Sequence, residues 1–205
     1  MVSKRRLAEV VLNKLNGGVI NRDSKVTIRQ AEEAVGEARD YLIVKRMYEK
    51  YANWGAFDVD FELLKEYYVT TYKKGNKWVA DLPARVIPIV HGLGIYHVSL
   101  SCCEEDDFIP KLNGSTAMYS GLAAFDMEGQ RSYFPRENYL ELSGTDGEVE
   151  LLMRLIPASI SLSSREDFKI TPDMETEIVA MATQTLMMQV QFPSDVILNN
   201  INDKL

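Results

Sequence analysis

The spacing of apolar positions changes character twice along the chain. Over residues 4–15, Leu7, Val11 and Leu15 recur every four residues and Val10 widens the stripe, which predicts an amphipathic helix. Ser3 is placed to cap its start. Asn16-Gly17-Gly18 is placed to stop it, because glycine accepts the left-handed backbone at a helix end. Residues 28–52 predict the longest helix. Thr27 and Gln30 form a T-x-x-Q capping box, and Ile28, Ala31, Val35, Ala38 and Leu42 share one face. Arg29 and Glu33 are a surface pair four residues apart, and Gly55 stands where a stop is expected.

The period then falls to two. Val59, Phe61 and Leu63 alternate with Asp60 and Glu62, and Tyr67, Val69 and Thr71 alternate with Tyr68, Thr70 and Tyr72. This predicts one long strand with a bulge near Lys65. Lys74-Gly75-Asn76 is turn chemistry, Trp78-Val79-Ala80 is the returning hairpin strand, and Leu82-Pro83 ends it. Two short strands are expected at Val86–Val90 and Ile95–Leu100, around His91-Gly92-Leu93-Gly94. Glu104–Asp107 reads as an acidic turn, after which Phe108-Ile109-Pro110 resumes apolar character. One or two helical turns are expected from Asn113-Gly114-Ser115-Thr116 through Met118.

Residues 122–156 read as an antiparallel meander, with turns at Glu128-Gly129 and Asp146-Gly147. Within it Val149, Leu151, Met153 and Leu155 alternate with Glu148, Glu150 and Arg154. A final helix follows, with Thr171 as cap, Pro172 in its first position and Asp173, Glu175 and Glu177 near its positive end. Met174, Ile178, Met181, Ala182, Leu186 and Val190 form its apolar stripe, and Pro193 ends it. Residues 195–205 are a polar tail, either docked on a neighbour or disordered. The pattern is α+β: an N-terminal helical pair, an antiparallel or mixed β-sheet region and a C-terminal helix. The expected division is a helical segment over 1–55 and an α+β body over 56–205.

Composition narrows the class. At 205 residues one main domain is the default, and a chain of 23.3 kDa can bury roughly 70% of its unfolded surface. That core suffices without disulfide or metal. Apolar residues at 46% and charged residues at 26% argue against wholesale disorder. No apolar run reaches the length of a membrane helix, and no membrane partner is expected. Lys4-Arg5-Arg6 opens like a signal peptide, but Glu9, Asn13 and Lys14 follow too soon, so export by such a signal is not expected. Cys102 and Cys103 are adjacent, cannot easily bridge each other, and suit a reducing cytoplasm.

The net charge is −7, which argues against a general nucleic-acid coat. Its distribution is uneven: residues 1–54 carry 11 basic and 7 acidic residues, and the rest carries 12 basic and 23 acidic. A basic helical end is thus joined to an acidic body.

Candidate chemistry is thin. His91 and His97, six residues apart across a short strand and turn, do not have a recognised metal-ligand spacing. Four consecutive acids at Glu104–Asp107 lack the spaced oxygens and glycine turn of a calcium loop. Nothing orients His97 as a base toward Cys102 or Cys103. His91-Gly92-Leu93-Gly94 lacks the spacing and lysine of a phosphate loop. No catalytic, cofactor or metal residue is assigned, and no enzyme activity is expected. Tyr67, Tyr68 and Tyr72 lie on both faces of one strand, which suggests that neither face is open to water. Tyrosines and methionines of this kind are enriched at protein contacts.

The order of short motifs resembles a known family. It begins with Leu64-Lys65-Glu66-Tyr67-Tyr68-Val69, then Asp81-Leu82-Pro83-Ala84-Arg85-Val86-Ile87-Pro88-Ile89-Val90 and Gly92-Leu93-Gly94-Ile95-Tyr96-His97-Val98. It continues with Asp107-Phe108-Ile109-Pro110 and Ser115-Thr116-Ala117. Later come Leu151-Leu152-Met153-Arg154-Leu155-Ile156-Pro157 and Ile170-Thr171-Pro172-Asp173-Met174-Glu175-Thr176-Glu177-Ile178-Val179. This order resembles the ring-forming structural proteins of the head-to-tail region in crAss-like tailed bacteriophages of gut Bacteroidales, over residues 60–195. Thr171 departs from the pattern, which often has isoleucine directly before the proline.

The resemblance implies a non-catalytic virion protein, assembled in the bacterial host cytoplasm. It implies a closed ring of identical subunits, often twelve-fold, set against the portal or neighbouring ring and tail proteins. Genomic DNA would pass through without specific binding. Such a ring uses heterologous contacts. The residues expected to serve assembly, unless they prove to be plain core, are Tyr67, Tyr68, Tyr72, Trp78, Met187 and Met188, with Arg5 and Arg6 facing an acidic neighbouring ring. Two other readings stand beside this one: a transient adaptor or assembly chaperone absent from the virion, and a metal-dependent hydrolase using Glu104–Asp107 with His97.

Overall fold

The computed structural model describes residues 2–17, 26–54, 59–89, 94–110, 131–165 and 168–191. The chain is α+β, and it forms two compact units: Met1–Leu63 with Ser159–Leu205, and Leu64–Ala158. This differs from the expected division at residue 55. The last helix belongs with the first two, because its apolar stripe finds its complement in their small-residue faces.

The first unit holds α1 (Lys4–Leu15), α2 (Ile28–Trp54) and α3 (Met174–Gln191), each packed on the other two. Ser3 Oγ accepts the Arg6 N–H at 3.2 Å, and Asn16 with Gly17 (φ +65°) closes α1. The capping box of α2 forms in both directions. The Thr27 N–H donates to Gln30 Oε1 at 2.8 Å, and the Gln30 N–H donates to Thr27 Oγ1 at 3.3 Å. The Arg29–Glu33 pair also forms. Leu7, Ala8 and Val11 from α1, Ala31, Val35, Ala38 and Leu42 from α2, and Met174, Ile178, Ala182 and Leu186 from α3 are buried. Helix α3 starts at Met174, two residues later than expected, because the Met174 N–H closes a tight turn onto the Thr171 carbonyl at 3.0 Å.

The chain returns to this unit through a 3-10 turn at Ser159–Ser161. A buried polar group holds the return in place. The Ser159 N–H donates to both Asp40 carboxylate oxygens (2.9 and 3.2 Å), and Lys4 Nζ donates to the Ser159 carbonyl at 3.4 Å. Arg39 is wholly buried, donates to the Lys169 carbonyl at 2.8 Å, pairs with Asp40 at 2.8 Å and lies over the Phe168 ring. Burial lowers the Arg39 pKa, and Asp40 opposes that shift.

The second unit is a sandwich of two sheets. The first has the order β1-β9-β4-β5, from β1 (Lys65–Thr70), β4 (Ile95–Leu100), β5 (Cys103–Asp107) and β9 (Glu150–Leu155). The second has the order β2-β3-β8-β7-β6, from β2 (Tyr72–Lys74), β3 (Lys77–Asp81), β6 (Ile109–Pro110), β7 (Ser132–Pro135) and β8 (Tyr139–Ser143). All pairs are antiparallel except β6 with β7. Leu151, Met153 and Leu155 of the first sheet meet Ala80, Leu140 and Leu142 of the second in one core.

Four expectations are corrected here. The long strand over 59–72 is broken. Phe61–Leu63 is a 3-10 turn, and the chain leaves one sheet for the other at Thr71. The cause is at Thr71 itself: its N–H donates to the Val149 carbonyl and its Oγ1 accepts the Val149 N–H, both at 2.9 Å. The side chain thus takes a ladder position. The described part of the strand expected over Val86–Val90, residues 86–89, is no strand; among these residues only Val86 bridges, to Pro157, since Pro88 has no N–H to give. Glu104–Asp107 is not a turn but most of β5, paired with β4. The meander is not continuous, because β9 leaves β7 and β8 to lie between β1 and β4.

The hairpin at Gly75 (φ +64°) forms as expected. Gly18, Gly55, Val90, His91 to Leu93, the helical turns near Met118, Glu128-Gly129, Pro193 and the tail over 195–205 lie outside the described residues.

Candidate functional site

The outer face of the five-stranded sheet carries a cluster of charged and aromatic side chains. Residues alternate across a strand, so Trp78 and Ala80 point to the sandwich core while Lys77 and Asp81 face outward; Val79, on the same side as these two, is buried. Glu141 on β8 sits at the centre of this face. It accepts from Lys77 Nζ at 2.6 Å and from Arg136 Nε at 2.9 Å, with Arg136 Nη2 at 3.3 Å on its other oxygen. Those bonds, Arg136 first and Lys77 second, hold its pKa below the ordinary carboxylate value. Arg136 also covers the Phe134 ring at 4.4 Å, and Lys74 Nζ lies 4.1 Å from the centre of the Tyr139 ring. The Tyr72 hydroxyl donates to Asp81 at 2.8 Å, a bond that raises the phenol pKa.

The outer face of the four-stranded sheet carries a charged row. Register places Glu66, Arg154 and His97 side by side on β1, β9 and β4. Arg154 donates to Glu66 at 2.8 Å, and His97 Nε2 lies 3.4 Å from Asp107 without hydrogen-bond alignment. Tyr68, next along β1, is 63% exposed. The expectation that both faces of this strand are covered does not hold for the single chain: Tyr67 packs on the core and Tyr68 faces solvent.

The other assembly residues divide in the same way. Trp78 packs against the sandwich core, whereas Tyr72, Met187 and Met188 are exposed. Arg5 and Arg6 are exposed on the first turn of α1, and Arg5 pairs with Glu9 at 3.3 Å. The structure therefore brings Tyr72 onto the charged hairpin β2–β3 and turns Tyr67 and Trp78 inward. Sequence reasoning missed Lys73, Lys74 and Lys77 on that hairpin. Their signal was three lysines bracketing a Gly-Asn turn. It also missed Tyr41 and Tyr48, exposed seven residues apart on one face of α2.

Of the groups weighed for chemistry, the structure brings His97 beside Asp107, and His91 lies outside the described residues. Cys102 and Cys103 are exposed and neither is in a disulfide. Ser99, two residues from His97, is fully buried, and its hydroxyl has no hydrogen-bond partner among the described residues. His97 thus does not activate it in this structure. Among the described residues no three His, Cys, Asp or Glu side chains gather as metal ligands, and no helix is long and apolar enough to cross a membrane. No protein-family model matches the chain, and no curated protein matches it.

Proposed function

We propose that this chain is a virion structural protein, the subunit of an oligomeric ring in the head-to-tail connector or tail of a crAss-like bacteriophage, through which the genome passes. The observation that carries the reading is where the residues of the resemblance fall. They are joints of the fold. The Leu82-Pro83 pair ends β3. Gly94 accepts the Ile156 N–H at 2.8 Å, and the Ile156 carbonyl accepts the Ile87 N–H at 3.1 Å, which ties three of the motifs together. Phe108 fills the core where β5 passes into β6, and Thr171 is buried at the start of α3. Residues that fix a path through a fold suit a subunit whose shape is its work.

The exposed faces support contact with neighbours. Tyr68, Tyr72, Met187 and Met188 offer apolar surface, and charge acts through local patches, since each compact unit carries more acidic than basic residues. Opposite charges on neighbouring subunits set register. The chain's net charge of −7 also disfavours holding moving DNA. The ring would contact itself and the portal or adjacent rings, and would need no cofactor. Mass spectrometry of purified particles tests this: a copy number near that of the portal is expected, with rings in negative stain. Absence from particles points to the adaptor reading, and turnover of a small molecule by the pure protein to an enzyme; either overturns the proposal.

A further inference from the structure

The sandwich carries opposite charges at its two lateral ends. The first sheet runs from β1 to β5 and the second from β2 to β6. Strand β1 passes into β2 through Thr71 alone, and β5 into β6 through Phe108 alone. So β1 and β2 form one end of the sandwich, and β5 and β6 form the other. At the first end the hairpin Tyr72-Lys73-Lys74-Gly75-Asn76-Lys77 is exposed throughout. At the second end β5 reads Cys103-Glu104-Glu105-Asp106-Asp107, four acids in a row. Both β2 and β5 are edge strands among the described residues.

We propose that the β2–β3 hairpin of one copy docks on β5 of the next. The inference rests on the ring reading and names its contact. A surface at one end of a body meeting a different surface at the other end is the heterologous contact from which closed rings are built. Edge strands invite pairing, and charge selects the partner: lysines on β2 repel a second lysine-bearing β2 and admit an acidic strand. In a chain of net charge −7, such local complementarity offsets the repulsion between copies.

Nucleic acid fits the hairpin less well. A continuous polyanion would also meet the acidic residues that are in excess along the chain, whereas a four-acid strand meets only the lysines it pairs with.

The test uses the full chain at low salt. Carbodiimide joins a lysine amine to a carboxylate in contact, and an equal mixture of isotopically light and heavy protein separates links between copies from links within one. Links from Lys73 or Lys74 to residues 104–107 of another copy are expected. K73E/K74E and E104K/E105K/D106K should each weaken self-association by about tenfold in sedimentation velocity. Mixing the two variants should restore it, because each altered hairpin then faces an altered strand. That rescue also shows that both variants are folded.

Four outcomes overturn the proposal: no such link between copies, association unchanged in the variants, loss without rescue, or a hairpin that binds duplex DNA and loses it in K73E/K74E. Association that persists in both variants leaves the ring reading standing, whereas absence from purified particles removes the ring reading.

Discussion

Gly36 lies inside α2, where helix propensity and packing make opposite demands. In an exposed helix interior, alanine in place of glycine stabilises by about 1 kcal/mol. At Gly36 a new Cβ would stand 2.7 Å from Ser159 Oγ, 3.0 Å from Ser159 Cβ and 3.1 Å from Lys4 Nζ. The Lys4 ammonium ends a flexible chain and moves aside easily. Ser159 does not, because its N–H is held by Asp40 at 2.9 Å, which fixes its Cβ, and its Oγ has a single torsion to turn about. Overpacking of this kind costs about 1–3 kcal/mol, and the short distances put this site in the upper half of that range. The net expectation for Gly36→Ala is a loss of about 1–2 kcal/mol, or roughly 2–8 °C in Tm.

The assay is urea and thermal unfolding followed by helical circular dichroism. The control is Ser159→Gly, which removes both colliding atoms. In that background Gly36→Ala should raise stability by about 1 kcal/mol, so the two changes couple by about 2–3 kcal/mol. A rise in Tm for Gly36→Ala alone, or the same change in both backgrounds, would refute the packing of the 159–161 turn against α2.

Three further outcomes follow from the structure. A Cβ at Gly94 would lie 2.5 Å from the Ile87 carbonyl oxygen, a backbone atom that cannot step aside, so Gly94→Ala should destabilise the sandwich by about 3 kcal/mol in urea unfolding. Asp40→Ala takes a partner from buried Arg39 and the acceptor from the Ser159 N–H. A loss of about 3 kcal/mol is expected, and it should be relieved in part by replacing Arg39 with methionine. Burial pushes the Tyr133 phenol up to about 12, so the folded chain holds its proton where the unfolded chain, near 10, gives it up. That contribution is intact below pH 10 and is lost as pH rises toward 12. Tyr133→Phe should flatten the decline over that window in pH-dependent unfolding.

What was legible in the sequence was local. Ser3 and the Thr27–Gln30 box sit within three residues of the groups they satisfy, and Gly75 sits inside its own turn, so spacing alone announces them. What was not legible depended on distant partners. Thr71 looks like one more alternating strand residue until Val149 arrives to occupy its hydroxyl. Four acids in a row have poor strand propensity, and only the ladder offered by β4 makes β5 a strand. The alternation of Tyr67 and Tyr68 states that they face opposite ways, but not which face the second sheet will cover. Arg39 did leave a signal: it sits four residues after Val35 and three before Leu42, inside the apolar stripe of α2, where a charge must find buried partners.

The residues that carry the family resemblance and the residues that face outward are largely different sets. Gly94, Ile156, Phe108 and Thr171 fix where the chain turns and which strands meet, so their replacement is felt throughout the fold. Lys73, Lys74, Tyr72 and Met188 are exposed and can change with little cost to it. In the proposed ring, a subunit built this way would keep one shape while its faces adapt to whatever lies beside it. The joints therefore identify the architecture, and the identity of the neighbours is written in charges and aromatic rings that strand and helix periodicity do not constrain. Complementary reversal of the charges on the lysines of β2–β3 and the acids of β5, rather than disruption of the core, is therefore the perturbation that reads the proposed contact between copies.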